Sequence, residues 1–140
     1  MTLKFPPGCL TESIVRSHFA PMEQNNSAAF QSNLADRISC TAMGVHNPLR
    51  GEYVSKSQVV SDVFGRIMPK MDTEKPISAK VQNVLVCGDW ATIELRMTGV
   101  TKGGLEYDHE GCWIVRYEEG VIVEARVYMD SALLEKIIAE

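Results

Sequence analysis

The spacing of hydrophobic and polar positions changes along the chain, from a helical period to a strand period. In the first part apolar residues recur three or four positions apart, which is typical of amphipathic helices. This spacing predicts two helices within residues 11–34, the first capped by Thr11 and kinked or ended by Pro21. A third helix is predicted to start at Ser55, which forms a capping box with Gln58, and to end at Pro69.

The second part alternates apolar and polar residues, which predicts strands with one buried face. The predicted elements are strands over residues 36–43, 77–87 and 90–100, a hairpin within 105–130 that turns at 118–120, and a closing helix over 131–139. Helices segregated from a mostly antiparallel run of strands favour an α+β fold. No linker, repeat or low-complexity tract interrupts this order, so residues 1–140 are predicted to form a single domain.

One face of the predicted hairpin mixes apolar and polar side chains. Tyr107, His109, Gly111 and Trp113 alternate along the first strand, so they share a face. Trp113 is too large and apolar to be left in water, which predicts that this face is the inner one and that His109 points into a cavity. Gly111 has no side chain and is expected to leave room for a ligand. The same mixture also fits an ordinary core with a few satisfied polar groups.

Composition and charge exclude several classes of protein. The 140 residues are 45% hydrophobic and 23% charged, with a formal net charge of −4, so no basic surface for nucleic acid is expected. No apolar run approaches the roughly 20 residues of a membrane span, and no apolar signal core is present, so a cytoplasmic location is expected. Four scattered cysteines without a C-x-x-C pair favour reduced thiols over a zinc site or a disulfide framework. With no Gly-rich phosphate loop and no metal-ligand spacing, neither a cofactor nor a metal is expected.

Three stretches of the chain resemble the SnoaL-like cyclases and isomerases of the NTF2-like superfamily, with ketosteroid isomerases as more distant relatives. HFAPMEQNNSAAF resembles the family's first helix end, break and second helix, and LADRISCTAMGVHNPLRGEYVSKSQVVSDVF resembles its strand, loop, Gly-x-Tyr and third helix. WIVRYEEGVIVEARVYMDSALLEKI resembles its final hairpin and terminal helix. The resemblance implies a curved, mostly antiparallel sheet wrapped around N-terminal helices, with a cone-shaped internal cavity for a small-molecule substrate.

The catalytic positions of these relatives are only partly matched. The general-base Asp of ketosteroid isomerases would fall near Ala42 or Met43, their oxyanion-hole Asp near Trp113, and their first-helix Tyr near His18, so steroid isomerisation by that mechanism is not expected. SnoaL-like cyclases have an acid/base Asp at the position that resembles Asp130 here. Asp130 is also well placed as an N-cap of the last helix.

Four polar residues are the candidates for catalysis. Asp130 and His109 would transfer protons, and Arg37 and Tyr107 would stabilise negative charge on a substrate oxygen. Each has a structural alternative. Asp130 could be only a helix cap and His109 a hydrogen-bonded core histidine. Arg37 could be a surface arginine paired with a neighbouring carboxylate, and Tyr107 a rim aromatic. The predicted substrate-binding residues are His18, Tyr53, Trp113, Phe19, Phe64 and Met129.

Two functions fit these observations. The first is a cofactor-independent enzyme that isomerises, cyclises or dehydrates a small, mostly apolar carbonyl compound, such as a polyketide or terpenoid intermediate. The second is a non-catalytic module that binds a small ligand or only dimerises. Three or more of the four catalytic candidates in one cavity would favour the enzyme, and an all-apolar cavity would favour the binding module.

Charges of both signs are predicted on the outer face of the sheet. They are Glu94, Arg96, Arg116, Glu124 and Arg126. In the family this face commonly forms a dimer interface, and interleaved opposite charges suit a symmetric contact, so a homodimer is predicted. The alternative is a solvated face with cross-strand ion pairs.

Overall fold

The structure, a computed structural model, describes residues 9–140. The α-helices are α1 (Glu12–Glu23), α2 (Ser27–Gln31), α3 (Lys56–Val59), α4 (Gly65–Ile67) and α5 (Ser131–Ile138). A π-helical turn (Val60–Phe64) joins α3 to α4, and a 3-10 turn (Met68–Lys70) follows α4. The strands are β1 (Leu34–Met43), β2 (Gly51–Tyr53), β3 (Ser78–Cys87), β4 (Trp90–Val100), β5 (Glu106–Glu118) and β6 (Val121–Tyr128).

The strands form a single sheet in the order β2-β1-β6-β5-β4-β3 within the described range. β1 runs parallel to β6, and the other neighbouring pairs are antiparallel. The register shifts between Leu34 and Ser39, between Val81 and Asn83, and between Arg116 and Tyr117. Such irregularities bend strands and increase the twist. The predicted α+β fold, with a curved and mostly antiparallel sheet, is confirmed.

Local sequence signals set the helix starts. The Thr11 hydroxyl accepts a hydrogen bond from the Ile14 N–H at 3.2 Å, which caps α1. The Ser55 hydroxyl accepts from the Gln58 N–H at 3.2 Å, and the Gln58 side chain in turn accepts from the Val54 N–H at 2.8 Å. The predicted caps at Thr11 and Ser55 are therefore confirmed.

Two elements differ from the prediction. Residues 51–53 form β2, paired with β1 through Cys40 and Tyr53, where the sequence analysis predicts no strand. Three residues are too few to show an alternating pattern, so the pairing with β1 decides this strand. The predicted third helix contains a π-helical turn over Val60–Phe64. This turn holds an extra residue, so the residues that follow are rotated relative to their positions in a regular α-helix.

The core lies between the helices and the inner face of the sheet. Phe19 of α1 and Phe30 of α2 are fully buried, with ring centroids 5.9 and 5.6 Å from that of Trp113, both edge-on. Edge-to-face aromatic pairs add about 0.5–1.5 kcal/mol beyond the area that they bury. Trp113 therefore faces inward, as its alternation with Val115 and Tyr117 predicts.

The outer face of the sheet carries the predicted charges, and the structure pairs several of them within the chain. Arg96 contacts Asp108 at 3.1 Å, and Glu124 contacts Arg116 at 3.5 Å and Arg126 at 3.6 Å. Exposed pairs of this kind contribute about 0–1 kcal/mol each. The Arg96–Asp108 and Arg116–Glu124 pairs match the predicted cross-strand pairs, the Glu124–Arg126 pair lies within β6, and the homodimer stays a prediction. None of the helices in residues 9–140 is both long and apolar enough to span a membrane.

Candidate active site

The concave face of the sheet and the helical segment 56–70 enclose a small cavity, called the chamber here, of about 70 Å³. Most of its wall is apolar, from residues such as Val59, Val63 and Val127. His109 and Tyr107 supply its main polar groups, together with the buried thiol of Cys40, whose pKa burial raises to about 11. No Asp, Glu, Lys or Arg from the described part of the chain lines it.

A wider cavity, called the mouth, adjoins the chamber and has a volume of about 350 Å³. The two cavities share five apolar wall residues, called the neck: Met22, Phe64, Met68, Ile77 and Met97. The mouth is more polar than the chamber, with Asn25, Asn26 and Ser27 on the α1–α2 turn and Asp72 and Thr73 before β3. Together they form an apolar pocket with a polar entrance.

His109 is the best-defined polar group of the chamber. Its side chain is 3% exposed, and its Nε2 accepts a hydrogen bond from the Asp130 backbone N–H at 3.0 Å. Burial lowers the pKa of His109, against a smaller opposing effect of the Asp130 charge. A neutral ring whose Nε2 accepts carries its proton on Nδ1. His109 is thus held as the tautomer that donates from Nδ1.

The Nδ1 atom of His109 is buried and has no hydrogen-bond partner among residues 9–140. A buried donor without an acceptor costs about 1–3 kcal/mol. The edge of the ring that carries Nδ1 lies next to Gly111, and a ligand oxygen that reached this atom would recover part of that free energy.

Tyr107 lies beside His109 on the same face of β5. The two rings stack with centroids 5.4 Å apart and planes 3° from parallel. Burial raises the pKa of Tyr107 to about 12, so the phenol keeps its proton near neutral pH. A neutral phenol and a neutral imidazole are both hydrogen-bond donors, and here both belong to residues of the chamber wall.

The space at Gly111 is used differently from the prediction. A Cβ at this position would lie 2.8 Å from Cε1 of His109 and 3.3 Å from the backbone oxygen of Tyr128. The missing side chain therefore makes room for the His109 ring, which corrects the expectation that a ligand fills the gap. Gly111 still forms part of the chamber wall.

Asp130 acts on the site through its backbone. Its carboxylate is exposed and caps α5, accepting from the Leu133 N–H at 3.2 Å. The N–H of the same residue orients His109. The predicted helix cap is confirmed, whereas the carboxylate is not in the chamber wall, which does not fit the predicted acid/base role.

Arg37 is likewise outside both cavities. Its side chain is exposed on β1, where Ile38, Cys40 and Ala42 are the buried residues. Strand neighbours point to opposite faces, so Arg37 faces away from the residues that reach the chamber. The predicted oxyanion-binding role of Arg37 does not fit this position.

The predicted substrate-binding residues separate into two groups. Trp113, Phe64 and Met129 line the chamber. Phe19, His18 and Tyr53 do not line the chamber or the mouth. The reason is local packing: Phe19 lies behind Trp113, the His18 ring packs on Tyr117 at 5.3 Å, and the Tyr53 hydroxyl donates to the Leu49 carbonyl at 2.5 Å.

Several wall residues that the sequence analysis did not select as binding residues are methionines. Met22, Met68 and Met97 form much of the neck. All three occupy apolar positions of predicted elements, so their place on the apolar face of each element was predictable. Their meeting at one place follows only from the packing of α1, the 3-10 turn and β4.

Comparisons with known proteins agree with this architecture. Residues 15–125 match the sequence model of the SnoaL-like domain. A search of curated protein sequences found no match. Because the matched segment spans most of the chain, it identifies the family, while the activity of individual members has to be argued from the site.

Solved structures show the same fold. An NTF2-like protein from Burkholderia thailandensis E264 superposes with a TM-score of 0.74 at 24% identity, covering 90% of this chain and 95% of that one. TerC, co-crystallised with polyporic acid, gives 0.71 at 8% identity and covers 91% and 97%. A protein from Jannaschia sp. CCS1, whose name proposes a SnoaL-like polyketide cyclase, gives 0.68 at 15% identity and covers 91% and 90%. With its curved sheet, its apolar chamber and a match over residues 15–125, this chain belongs to the SnoaL-like domain family and has the NTF2-like fold.

Proposed function

We propose that the protein binds a small, mostly apolar carbonyl compound in the chamber and isomerises or cyclises it without a cofactor. One observation carries the proposal: His109 belongs to the wall of an almost entirely apolar chamber, and its buried Nδ1 has no acceptor among residues 9–140. A carbonyl oxygen is an acceptor without charge, so it satisfies this donor at little desolvation cost. TerC, which has the same fold, was crystallised with a small organic molecule, polyporic acid, which supports a small ligand.

The chemistry follows from two donors next to one oxygen. When a proton leaves the carbon beside a carbonyl group, negative charge develops on the carbonyl oxygen. Hydrogen bonds from His109 and Tyr107 would stabilise that charge in a site of low dielectric, where each such donor contributes about 10²–10³ in rate. His109 serves as a donor rather than as a base, because its Nε2 is engaged by the Asp130 N–H.

The missing carboxylate narrows the class of substrate. No Asp or Glu of the described chain lines the chamber, so no side-chain carboxylate is available there to take the proton. The best substrates are then compounds whose C–H is already acidic, such as a carbon between two carbonyl groups, from which water can accept the proton. Enolate formation at such a carbon is the shared first step of isomerisation and of ring closure.

A second candidate is a module that binds the same ligand without converting it. The observation that favours it is that only two of the four predicted catalytic residues, His109 and Tyr107, reach the chamber. The two candidates share the binding step and differ in whether the protein accelerates loss of the proton.

Binding is tested with acetylacetone, a small neutral diketone. Trp113 lines the chamber, and Trp90 is the other tryptophan of the sequence. In a Trp90→Phe background the fluorescence therefore comes from Trp113 alone and reports binding in the chamber. His109→Phe keeps the ring volume and removes the donor, and is expected to weaken binding at least tenfold, about 1.4 kcal/mol. The matched control is His18→Phe, a histidine whose pKa burial also lowers but which lies outside the chamber, and it should bind like the parent.

Turnover is tested by deuterium exchange at the carbon between the carbonyl groups, followed by NMR in heavy water. Exchange faster with the protein than with buffer, and slowed by His109→Phe or Tyr107→Phe, supports the enzyme. Binding without accelerated exchange supports the second candidate. Equal affinity of the parent protein and His109→Phe for acetylacetone would exclude a role of His109 in both candidate functions.

A further inference from the structure

We infer that the natural ligand is elongated and uncharged, with its carbonyl end in the chamber, an apolar middle in the neck and a hydroxyl-bearing end in the mouth. This inference rests on the proposed function, because it takes the carbonyl group to bind at His109. It adds the length, the charge and the polarity of the part of the ligand that lies away from the carbonyl.

The first step is the size of the chamber. One water molecule needs about 10–15 Å³ of cavity volume. The chamber, with about 70 Å³, therefore accepts only a small group of heavy atoms. The adjoining mouth is about 350 Å³. A ligand held only in the chamber would leave most of the apolar surface of the pocket in contact with water, whereas a longer one would cover it.

The second step is the chemistry of the neck. Three of its five residues are methionines, which are flexible and polarisable and therefore adapt to an apolar segment passing between them. Met68 is 50% exposed, an unusual position for a large apolar side chain at the edge of a cavity. Phe64 stacks on Trp113 with ring centroids 6.4 Å apart, so the aromatic wall continues from the chamber into the neck.

The third step is the charge of the mouth. No Lys or Arg of residues 9–140 lines either cavity, and Asp72 gives the mouth a negative charge. A carboxylate or phosphate on the ligand would lose water there without gaining a cation. The Asn26 and Asp72 side chains each accept one backbone N–H, from Ala29 and Glu74, and keep further hydrogen-bonding capacity, with which they can bond a ligand hydroxyl alongside Asn25.

Two matched substitutions separate the two cavities. Ala42 lines the chamber only and Ala79 lines the mouth only, and both are buried strand residues. A change to valine adds the same side-chain volume at each position and reduces the space in one cavity only. The probes are acetylacetone and two analogues that extend it by an alkyl chain ending in a hydroxyl or in a carboxylate. Affinities are measured from Trp113 fluorescence in the Trp90→Phe background.

The hydroxyl-ended analogue is expected to bind at least tenfold tighter than acetylacetone and tighter than the carboxylate-ended analogue. Ala42→Val should weaken all three probes, and Ala79→Val only the two long ones. Thr73→Lys, at an exposed position of the mouth that does not depend on core packing, should shift the preference towards the carboxylate.

Two results overturn the inference while the proposed function stands: equal affinity for acetylacetone and the hydroxyl-ended analogue, or no response of the long probes to both Ala79→Val and Thr73→Lys. If no diketone of either length binds, the proposed function fails and the inference fails with it. The short probe therefore distinguishes the two failures.

Discussion

Gly111→Ala is the sharpest test of how the chamber is built. The new Cβ would lie 2.8 Å from Cε1 of His109, well inside the roughly 3.5–4.0 Å at which carbon atoms pack. The ring has little freedom to move, because it is stacked on Tyr107 and bonded to the Asp130 N–H. The other neighbour, at 3.3 Å, is the backbone oxygen of Tyr128, which moves only with its strand.

The expected cost is worked out from these contacts. Overpacking of a core costs about 1–3 kcal/mol, and loss of the His109 hydrogen bond adds about 0.5–1.5 kcal/mol. Replacing Gly by Ala in a strand returns about 0.5–1 kcal/mol. The net expectation is a decrease of about 0.5–4 kcal/mol in the free energy of unfolding, together with displacement of the imidazole.

Urea unfolding measures the first effect and nitrogen NMR shifts of the imidazole report the second. The control is Gly99→Ala on the neighbouring strand, where the nearest atom, 3.3 Å away, is the flexible end of Met71, so a smaller loss is expected. In a His109→Ala background, Gly111→Ala should cost at least about 1 kcal/mol less, since the clashing ring is gone. Parent stability and unchanged imidazole shifts in Gly111→Ala would refute the reasoning.

Three further predictions concern pH, Asp130 and assembly. Burial lowers the pKa of both His18 and His109 below 6.5, so the unfolded chain takes up protons first as the pH falls. The free energy of unfolding should therefore be nearly constant between about pH 7 and pH 8 and decrease below about pH 6.5, by at most about 1.4 kcal/mol per pH unit for each histidine, and His109→Phe should reduce the slope in urea titrations. Asp130→Asn keeps the cap and the N–H and should leave stability and diketone binding unchanged, whereas Asp130→Pro fits the φ of −71° but lacks the N–H, and it should alter the His109 imidazole shifts more than Asp130→Ala does. Sedimentation should show a homodimer at micromolar concentration that Arg126→Glu weakens, and a monomeric parent protein would exclude the outer-face interface.

The sequence alone determined the order of the elements other than β2 and the inner face of β5, the first strand of the hairpin. Alternation along residues 90–100 and 107–117 predicted β4 and β5, because a strand repeats every two residues and one of its faces is buried. The caps at Thr11, Ser55 and Asp130 were predictable for a similar reason, since each depends on residues three positions away. The same alternation places the Arg37 side chain on the other face of β1 from Ile38 and Cys40. The sequence pattern therefore already argued against an arginine in the cavity.

The tertiary structure decided what the site contains. His109 and the Asp130 N–H are 21 residues apart, and only the pairing of β5 with β6 brings them to 3.0 Å and fixes the tautomer. Gly111 was recognised as a gap, but the neighbour that fills it depends on the side-chain packing inside the sheet. The neck gathers Met22, Met68 and Met97 from three separate elements. Local patterns fix which face of an element is buried, whereas the distance between two buried faces depends on the curvature of the sheet and on packing across it.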